Sequence, residues 1–583
     1  MRLQDFPKLA WFVISLAYID TSCLALDVQP ESGSGWTHKQ AVTAEKFMVS
    51  AAHPLAAETG YDVLRAGGTA VDAAVAVQLV LNLVEPQSSG IGGGAFMLHW
   101  DAKRRELSTI DGRETAPAAA RPVYFLDENG DTKQWWATVT GGGSVGVPGT
   151  LKLLALAHQR YGGLAWGDLF ESAIELADSG FEVTPRLATS ITQAKAVGLD
   201  RFDATRSYFF NDDGSTLAAG AILKNPEFAD TLRIIAEGGA ESFYRGQIAE
   251  DIVNAVRSTK DNPGLMTLED LATYEAKFRR PVCSSYRSYQ VCGMGPPSSG
   301  ALTVGQILGM LNHFDMRDMG LGVDTIHLYS EAAKLAYADR AMYMADSDYV
   351  RMPMQGLLDP AYLTFRAQLI KLDRVRRNPG HGNPPWQDAA LYAPDNKEER
   401  PGTSHFSIVD RFGNAVSMTT TIETGFGSRV MVGGFLLNNE LTDFSWEPEK
   451  NGRPVANRVE GGKRPRSSMS PTIVFKPDGA PYLLLGSPGG SRIINYVAKT
   501  LIAILDWDMD IQEAMNVGHF VSRNGPIDIE SGTIASEFTK QLQKRGHEVN
   551  VRDLNSGLHG IMIKDELLVG GADPRREGVV MGD

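Results

Sequence analysis

The stretch Pro401-Gly402-Thr403-Ser404-His405-Phe406-Ser407-Ile408-Val409-Asp410, followed by Gly413-Asn414-Ala415-Val416-Ser417-Met418-Thr419-Thr420-Thr421, decides how this 583-residue chain is read. Phe406 and Ile408 alternate with polar residues, Arg411-Phe412-Gly413-Asn414 carries turn chemistry, and Val416 to Ile422 is rich in β-branched residues. That pattern predicts strand, turn, strand, with Thr403 at the mouth of a hairpin. Upstream, Arg374 to Gly402 is crowded with Pro, Gly, Asn and charge, which predicts an exposed and mobile connection that is easily cut. A chain cut between Gly402 and Thr403 begins with a threonine whose hydroxyl can attack. Its own α-amine, with a reference pKa of about 7.7–8.0, can take the proton. An ordinary edge strand after an ordinary linker fits the same residues, so the decision falls to the rest of the chain.

Three blocks follow in order: Asn438-Asn439-Glu440-Leu441-Thr442-Asp443-Phe444, Lys463-Arg464-Pro465-Arg466-Ser467-Ser468-Met469-Ser470-Pro471-Thr472, and Gly486-Ser487-Pro488-Gly489-Gly490-Ser491-Arg492. Nearer the N-terminus stand Asp111-Gly112-Arg113-Glu114-Thr115-Ala116-Pro117 and Glu331-Ala332-Ala333-Lys334-Leu335-Ala336-Tyr337-Ala338-Asp339-Arg340. Read together with Thr403, these blocks resemble the γ-glutamyltranspeptidase family over most of the chain. The resemblance implies an α+β, four-layer αββα sandwich of the N-terminal nucleophile hydrolase type. It also implies one precursor cut into a large piece, 26–402, and a small catalytic piece, 403–583, that stay together as a heterodimer.

The site residues follow from the same resemblance. Thr403 is the nucleophile, in self-cleavage at Gly402 and in turnover, and Thr421 orients its oxygen. Arg113, Ser467 and Ser468 take the α-carboxylate of a γ-glutamyl donor such as glutathione, while Glu423, Glu440 and Asp443 surround its ammonium. An Arg suits the first task because its planar fork binds a carboxylate bidentately. Gly489 and Gly490 supply the oxyanion hole, since N–H groups ahead of a helix are unsatisfied and carry partial positive charge. The acyl group passes to water or to an acceptor amino acid or peptide, and no metal or organic cofactor is required. Some relatives carry amides where Glu423 and Glu440 stand. The polar insertion Ser445 to Pro454 contains Trp446, the only aromatic there that could gate the site; a lid is left open.

Composition narrows the classes. Apolar content of 43% and charged content of 22% are ordinary for a globular protein. A net charge of −14 argues against a nucleic-acid partner, because phosphate binding needs clustered Lys and Arg. Arg2 and Lys8 precede an apolar run from Leu9 to Ile19, too short to span a bilayer but suited to a secretory leader, 1–25, removed near Ala25. A periplasmic or secreted protein, free of the membrane after removal, is expected; a buried N-terminal helix is the alternative. Cys283 and Cys292 flank a hairpin turning near Arg287, open to either a disulfide or two free thiols. Neither zinc spacing nor a redox CxxC occurs.

Between these blocks, a short strand at Met48 leads to helices from about Leu55 to Arg65 and Ala70 to Val84, the second apolar almost all round. Gly90 to Gly94 tempts a phosphate-loop reading, but these glycines follow a helix and enter a strand, so close backbone packing accounts for them better. Helical patterns dominate from Gly149 to Leu372, and the charges of Glu331 to Arg340 read as a solvated, ion-paired face. Two competing functions remain: a cephalosporin or glutaryl-cephalosporin acylase of the same fold, and an exported binding protein without catalysis. The second would need neither Thr403 nor the glycine pair.

Overall fold

The computed structural model describes residues 33–386, 392–395, 397, 399–565 and 567–583; the leader expected at 1–25 lies outside them. Two seven-stranded antiparallel sheets form the centre. The first runs Val579–Gly582, Met48–Ala51, Thr403–Val409, Ala415–Thr421, Gly94–Asp101, Glu106–Gly112, Lys277–Arg279. The second runs Val42–Ala44, Leu567–Ala572, His559–Lys564, Pro481–Gly486, Thr472–Phe475, Tyr289–Gly293, Val282–Tyr286.

Alternation along the hairpin explains the layering. Phe406, Ile408, Val416 and Met418 point into a core shared with helices Pro54–Arg65, Ala70–Val84 and Thr150–Tyr161. The opposite face meets the second sheet, whose far side carries Gly300–Leu311, Val323–Tyr343 and Ile493–Leu505. Helix, sheet, sheet, helix is the resulting order, the α+β sandwich expected from the sequence. Between the sheets lie Ser417, which donates to the Leu485 carbonyl at 3.3 Å, and His405, bonded to Thr419 Oγ1 at 2.8 Å.

The predicted hairpin forms as Thr403–Val409 and Ala415–Thr421, with Thr403 directly opposite Thr421. Asp410 closes its turn by accepting from Phe412 and Asn414 N–H, each at 2.9 Å. The same carboxylate accepts from Ala70 N–H at 2.9 Å, so the turn also caps the buried helix behind it. The glycines before the Gly94–Asp101 strand serve close packing: a Cβ on Gly93 would lie 2.0 Å from the Thr421 carbonyl oxygen, and one on Gly92 2.1 Å from that of Leu436.

Two expectations are corrected. The linker is exposed through much of 371–385, but Asp395, Glu399 and Gly402 are buried, because their charges and backbone find partners inside. The charges of Glu331 to Arg340 are ion-paired but not solvated: Lys334 bonds Glu331 at 2.9 Å and Asp339 meets Arg366 at 3.1 Å, all buried. The helix is covered on every side, so its charges have only each other and neighbouring segments to neutralise them.

Cys283 and Cys292 face each other across the hairpin and are joined in a disulfide, which settles the alternative left open above. The bridge closes a loop with a sequence separation of 9, so chain entropy assigns it about 2–3 kcal/mol. A Cys283→Ala/Cys292→Ala protein should lose that amount in urea unfolding, and dithiothreitol should bring the native chain down to the same midpoint. Equal midpoints for variant and oxidised native protein would contradict this.

Candidate active site

Thr403 opens its strand at the end of the hairpin and is buried. Its hydroxyl donates toward Thr421 Oγ1 at 3.4 Å, and the Thr421 hydroxyl donates to the Gly402 carbonyl oxygen at 2.7 Å. Thr421 Oγ1 also accepts from Glu423 N–H at 2.8 Å. One hydroxyl thus touches the candidate nucleophile and the carbonyl immediately before it. Gly402 has no room for a side chain, since a Cβ would lie 2.0 Å from the Glu423 carbonyl oxygen. The loop beyond Thr421 is strained: Glu423, Phe426 and Arg429 have φ of 77°, 63° and 64°, a region that costs a residue with a side chain about 1–3 kcal/mol.

A buried charge cluster lies alongside. Arg113 sits at the end of the Glu106–Gly112 strand, where its Nε donates to the Pro465 carbonyl at 3.2 Å and its Nη2 to that of Arg466 at 3.0 Å. The guanidinium pairs with Glu440 through Nη1 and with Asp443 at 2.7 Å through Nη2. Glu440 and Asp443 come from one short helical turn, Glu440–Asp443. Asp443 Oδ1 and Glu423 Oε2 have no hydrogen-bond partner among the described residues.

Burial raises the carboxyls of Glu423, Glu440 and Asp443, against the pull of Arg113 and, for Glu423 and Asp443, of Lys397. Glu114 is pushed up to about 7 by burial, with Arg113 opposing. Arg113 is held protonated: burial opposes its charge, but Glu440, Asp443 and Glu114 overcome it. The cluster therefore carries more acid than the cations beside it neutralise.

Ser467 and Ser468 follow the carbonyls that hold Arg113. Ser467 Oγ accepts from Met469 N–H at 3.1 Å, which leaves its proton to donate. Ser468 Oγ accepts from Arg340 Nη2 at 2.7 Å. Gly489 and Gly490 have φ of 136° and 56° and precede the Ile493–Leu505 helix through the single turn Gly490–Arg492. A Cβ on Gly490 would lie 2.6 Å from the Arg400 carbonyl, and Ser491 N–H donates to Glu399 O at 3.3 Å. In the continuous chain, the segment leading to Thr403 runs across the glycine pair.

The structure also brings in residues to which the sequence reading gave no place in the site. Glu399 is buried between Arg340 and Arg466, bonding the first and lying 3.4 Å from the second. Trp446 is packed against two rings rather than free: Phe125 stacks on it at 5.0 Å and Trp135 at 5.3 Å. Arg340 stood in a block already singled out, but helical spacing cannot tell a buried charged face from a wet one. Glu399, Phe125 and Trp135 left no pattern at all.

Two facing antiparallel sheets between helical layers, with a threonine at the edge of a central strand, define an N-terminal nucleophile hydrolase fold. A sequence model of the gamma-glutamyltranspeptidase family matches residues 56–583, and the chain belongs to that family. It is 38% identical over 557 residues to the glutathione hydrolase proenzyme of Bacillus subtilis (strain 168), covering 94% of this chain and 93% of that protein. Among solved structures, cephalosporin acylase from Bacillus halodurans superposes with a TM-score of 0.83 at 28% identity, covering 95% of this chain and 99% of that one. A gamma-glutamyltranspeptidase chain from Helicobacter pylori gives a TM-score of 0.54 at 35% identity over 59% of this chain and 95% of its own.

Removing Arg340 leaves a buried carboxylate short of its partner, which costs about 3–5 kcal/mol, whereas exposed pairs contribute about 1 kcal/mol or less. Arg340→Ala should therefore be far more destabilising in urea than Arg206→Ala, whose partner Asp203 is exposed. Equal losses would show that the Arg340–Glu399 pair is not holding the segment before Thr403 in place.

Proposed function

We propose that this protein is a γ-glutamyl transferase and glutathione hydrolase that matures by cutting its own Gly402–Thr403 bond. The observation that carries the reading is the Thr403–Thr421–Gly402 relay, in which one hydroxyl serves both attacking oxygen and attacked carbonyl. In maturation Thr403 Oγ adds to the Gly402 carbonyl carbon. Charge grows on the carbonyl oxygen, where Thr421 already donates, and collapse breaks the C–N bond to leave an ester that water opens. The Thr403 α-amine is thereby freed. The chain becomes a large piece ending at Gly402 and a small one starting at Thr403, held together by the two shared sheets.

In turnover the same oxygen attacks the γ-amide of glutathione or a related donor, and the α-amine receives its proton. The α-carboxylate binds Arg113 and the Ser467 and Ser468 hydroxyls; the ammonium binds Asp443, Glu440 and Glu423. Arg113 is already paired with Glu440 and Asp443, so a zwitterion enters by exchange, each end replacing half of an internal pair. Gly489 and Gly490 face the tetrahedral oxyanion. The amine leaves, and water or an acceptor amine takes the acyl group. The relatives' proenzyme names support the maturation step, and an exported, periplasmic or secreted location fits the leader pattern of residues 1–25.

The acylase likeness makes glutaryl-7-aminocephalosporanic acid the competing substrate. A glutaryl group has no α-ammonium, so the Asp443 and Glu423 oxygens left without a hydrogen-bond partner among the described residues favour the γ-glutamyl donor. The chain should turn over γ-glutamyl-p-nitroanilide with the higher kcat/KM, and Thr403→Ala should lower that value by about 10³-fold or more. A preference for the glutaryl substrate would overturn the assignment.

Ammonium capture needs ionised carboxylates, and burial holds these above the usual carboxylate range. kcat/KM should therefore fall as pH drops through that raised range. Glu423→Gln removes a negative neighbour of Glu440, which then ionises at lower pH. The acidic limb should move to lower pH, while KM rises roughly tenfold. An acidic limb that stays in place in this variant would remove these carboxylates from substrate recognition.

A further inference from the structure

We propose that the rings of Phe125, Trp135 and Trp446 form the acceptor subsite, and that it selects acceptor amines carrying a second cationic group, such as lysyl or arginyl dipeptides. The proposal rests on the γ-glutamyl transfer reading above and adds the class of second substrate. Trp446 stacks against both Phe125 and Trp135, with interplanar angles of 15° and 14°. Such a stack presents negative ring faces to any cation set against them.

The chain's own cations now occupy those faces. Lys397 Nζ lies 4.5 Å from the Trp446 centroid and 5.5 Å from that of Trp135, and the Arg400 guanidinium sits 4.1 Å over Trp135. The box is continuous with the charge cluster, because Trp446 Nε1 donates to Thr442 O and Lys397 Nζ to Phe444 O, each at 3.2 Å, on either side of Asp443. Burial pushes Lys397 down to about 8 while Asp443 and Glu423 pull it up, so a cation here is desolvated but compensated.

Both cations belong to the segment just before the bond that is cut. The Arg400 carbonyl lies where a Cβ on Gly490 would stand, so in the uncut chain this segment packs directly against the glycine pair. Cutting the Gly402–Thr403 bond frees this segment to leave, and its departure would empty the rings. The γ-glutamyl ammonium takes Asp443 and Glu423, and the ring face under Arg400 is then left for the second substrate. That face stands one arginine side chain from Gly490, within reach of an amine positioned at the acyl carbon.

In the transfer step the neutral α-amine of the acceptor attacks the γ-carbonyl of the Thr403 ester. A C–N bond forms, the C–O bond to Thr403 breaks, and the amine proton returns to Thr403 Oγ by way of the Thr403 α-amine. The acceptor's second cation meanwhile lies on Trp135 and Trp446.

The test uses the processed protein with γ-glutamyl-p-nitroanilide as donor and Gly-Gly, Lys-Gly, Arg-Gly and citrullyl-Gly as acceptors. Arg-Gly and Lys-Gly should exceed Gly-Gly in acceptor kcat/KM by about 5–30-fold, the size of one or two cation–π contacts. Citrullyl-Gly, close in shape to Arg-Gly but neutral, should lose most of that advantage. The Arg-Gly to Gly-Gly ratio should fall toward 1 in Trp135→Ala and Trp446→Ala and partly persist in Trp135→Phe and Trp446→Phe. A wild-type ratio near 1, a citrullyl acceptor equal to the arginyl one, or a ratio unchanged in both alanine variants overturns the proposal. Donor turnover without cation preference defeats this proposal alone; no release of p-nitroaniline defeats the γ-glutamyl reading beneath it.

Discussion

The hydroxyl of Thr421 is the constraint on which the rest depends. It accepts from Thr403, accepts from Glu423 N–H, and donates to the Gly402 carbonyl. A single oxygen fixes the proposed nucleophile, the carbonyl it would attack and the entry to a strained loop. The sheet supplies its precision: Thr403 and Thr421 are paired across an antiparallel ladder whose other neighbours, Met48–Ala51 and Gly94–Asp101, hold both strands from outside. Glycine without a side chain at 402 lets the loop close over the bond, and Gly93 lets Thr421 be backed by main chain.

Electrostatics decides what can bind beside that relay. Arg113 is bonded to two carboxylates and two carbonyls, while one oxygen each of Glu423 and Asp443 has no hydrogen-bond partner among the described residues. Buried charges persist only when paired, so the cluster is stable in the free chain by satisfying itself and receptive to a ligand that carries both signs. The segment before Thr403 uses the same physics. Glu399 is gripped by Arg340 and Arg466, and Lys397 and Arg400 lie on aromatic rings. In the uncut chain this segment lies across part of the proposed site.

Local pattern carried much of the fold: the hairpin at Thr403, the buried helix Ala70–Val84 and the glycine-rich entry to Gly94–Asp101 all follow from periodicity, turn residues and steric need. The two-sheet order did not, because strands as distant as Met48–Ala51 and Val579–Gly582 pair through contacts no local window contains. The residues placed at the site by resemblance are gathered around Thr403, Arg113 and Gly490. Their internal pairing was illegible, since sequence names charges without naming their partners. The same gap hid Arg340, whose helical spacing looked like a surface, and Glu399, whose Pro- and Gly-rich surroundings looked like a free linker. Phe125 and Trp135 meet Trp446 only through tertiary packing.

The central claim is that a threonine with a free amine is made by backbone scission and then does the chemistry. N-terminal sequencing of the purified, active protein tests it most directly. The account predicts a fragment beginning Thr-Ser-His-Phe in equal amount to the larger piece. Full activity in a preparation that contains only the intact chain would contradict it.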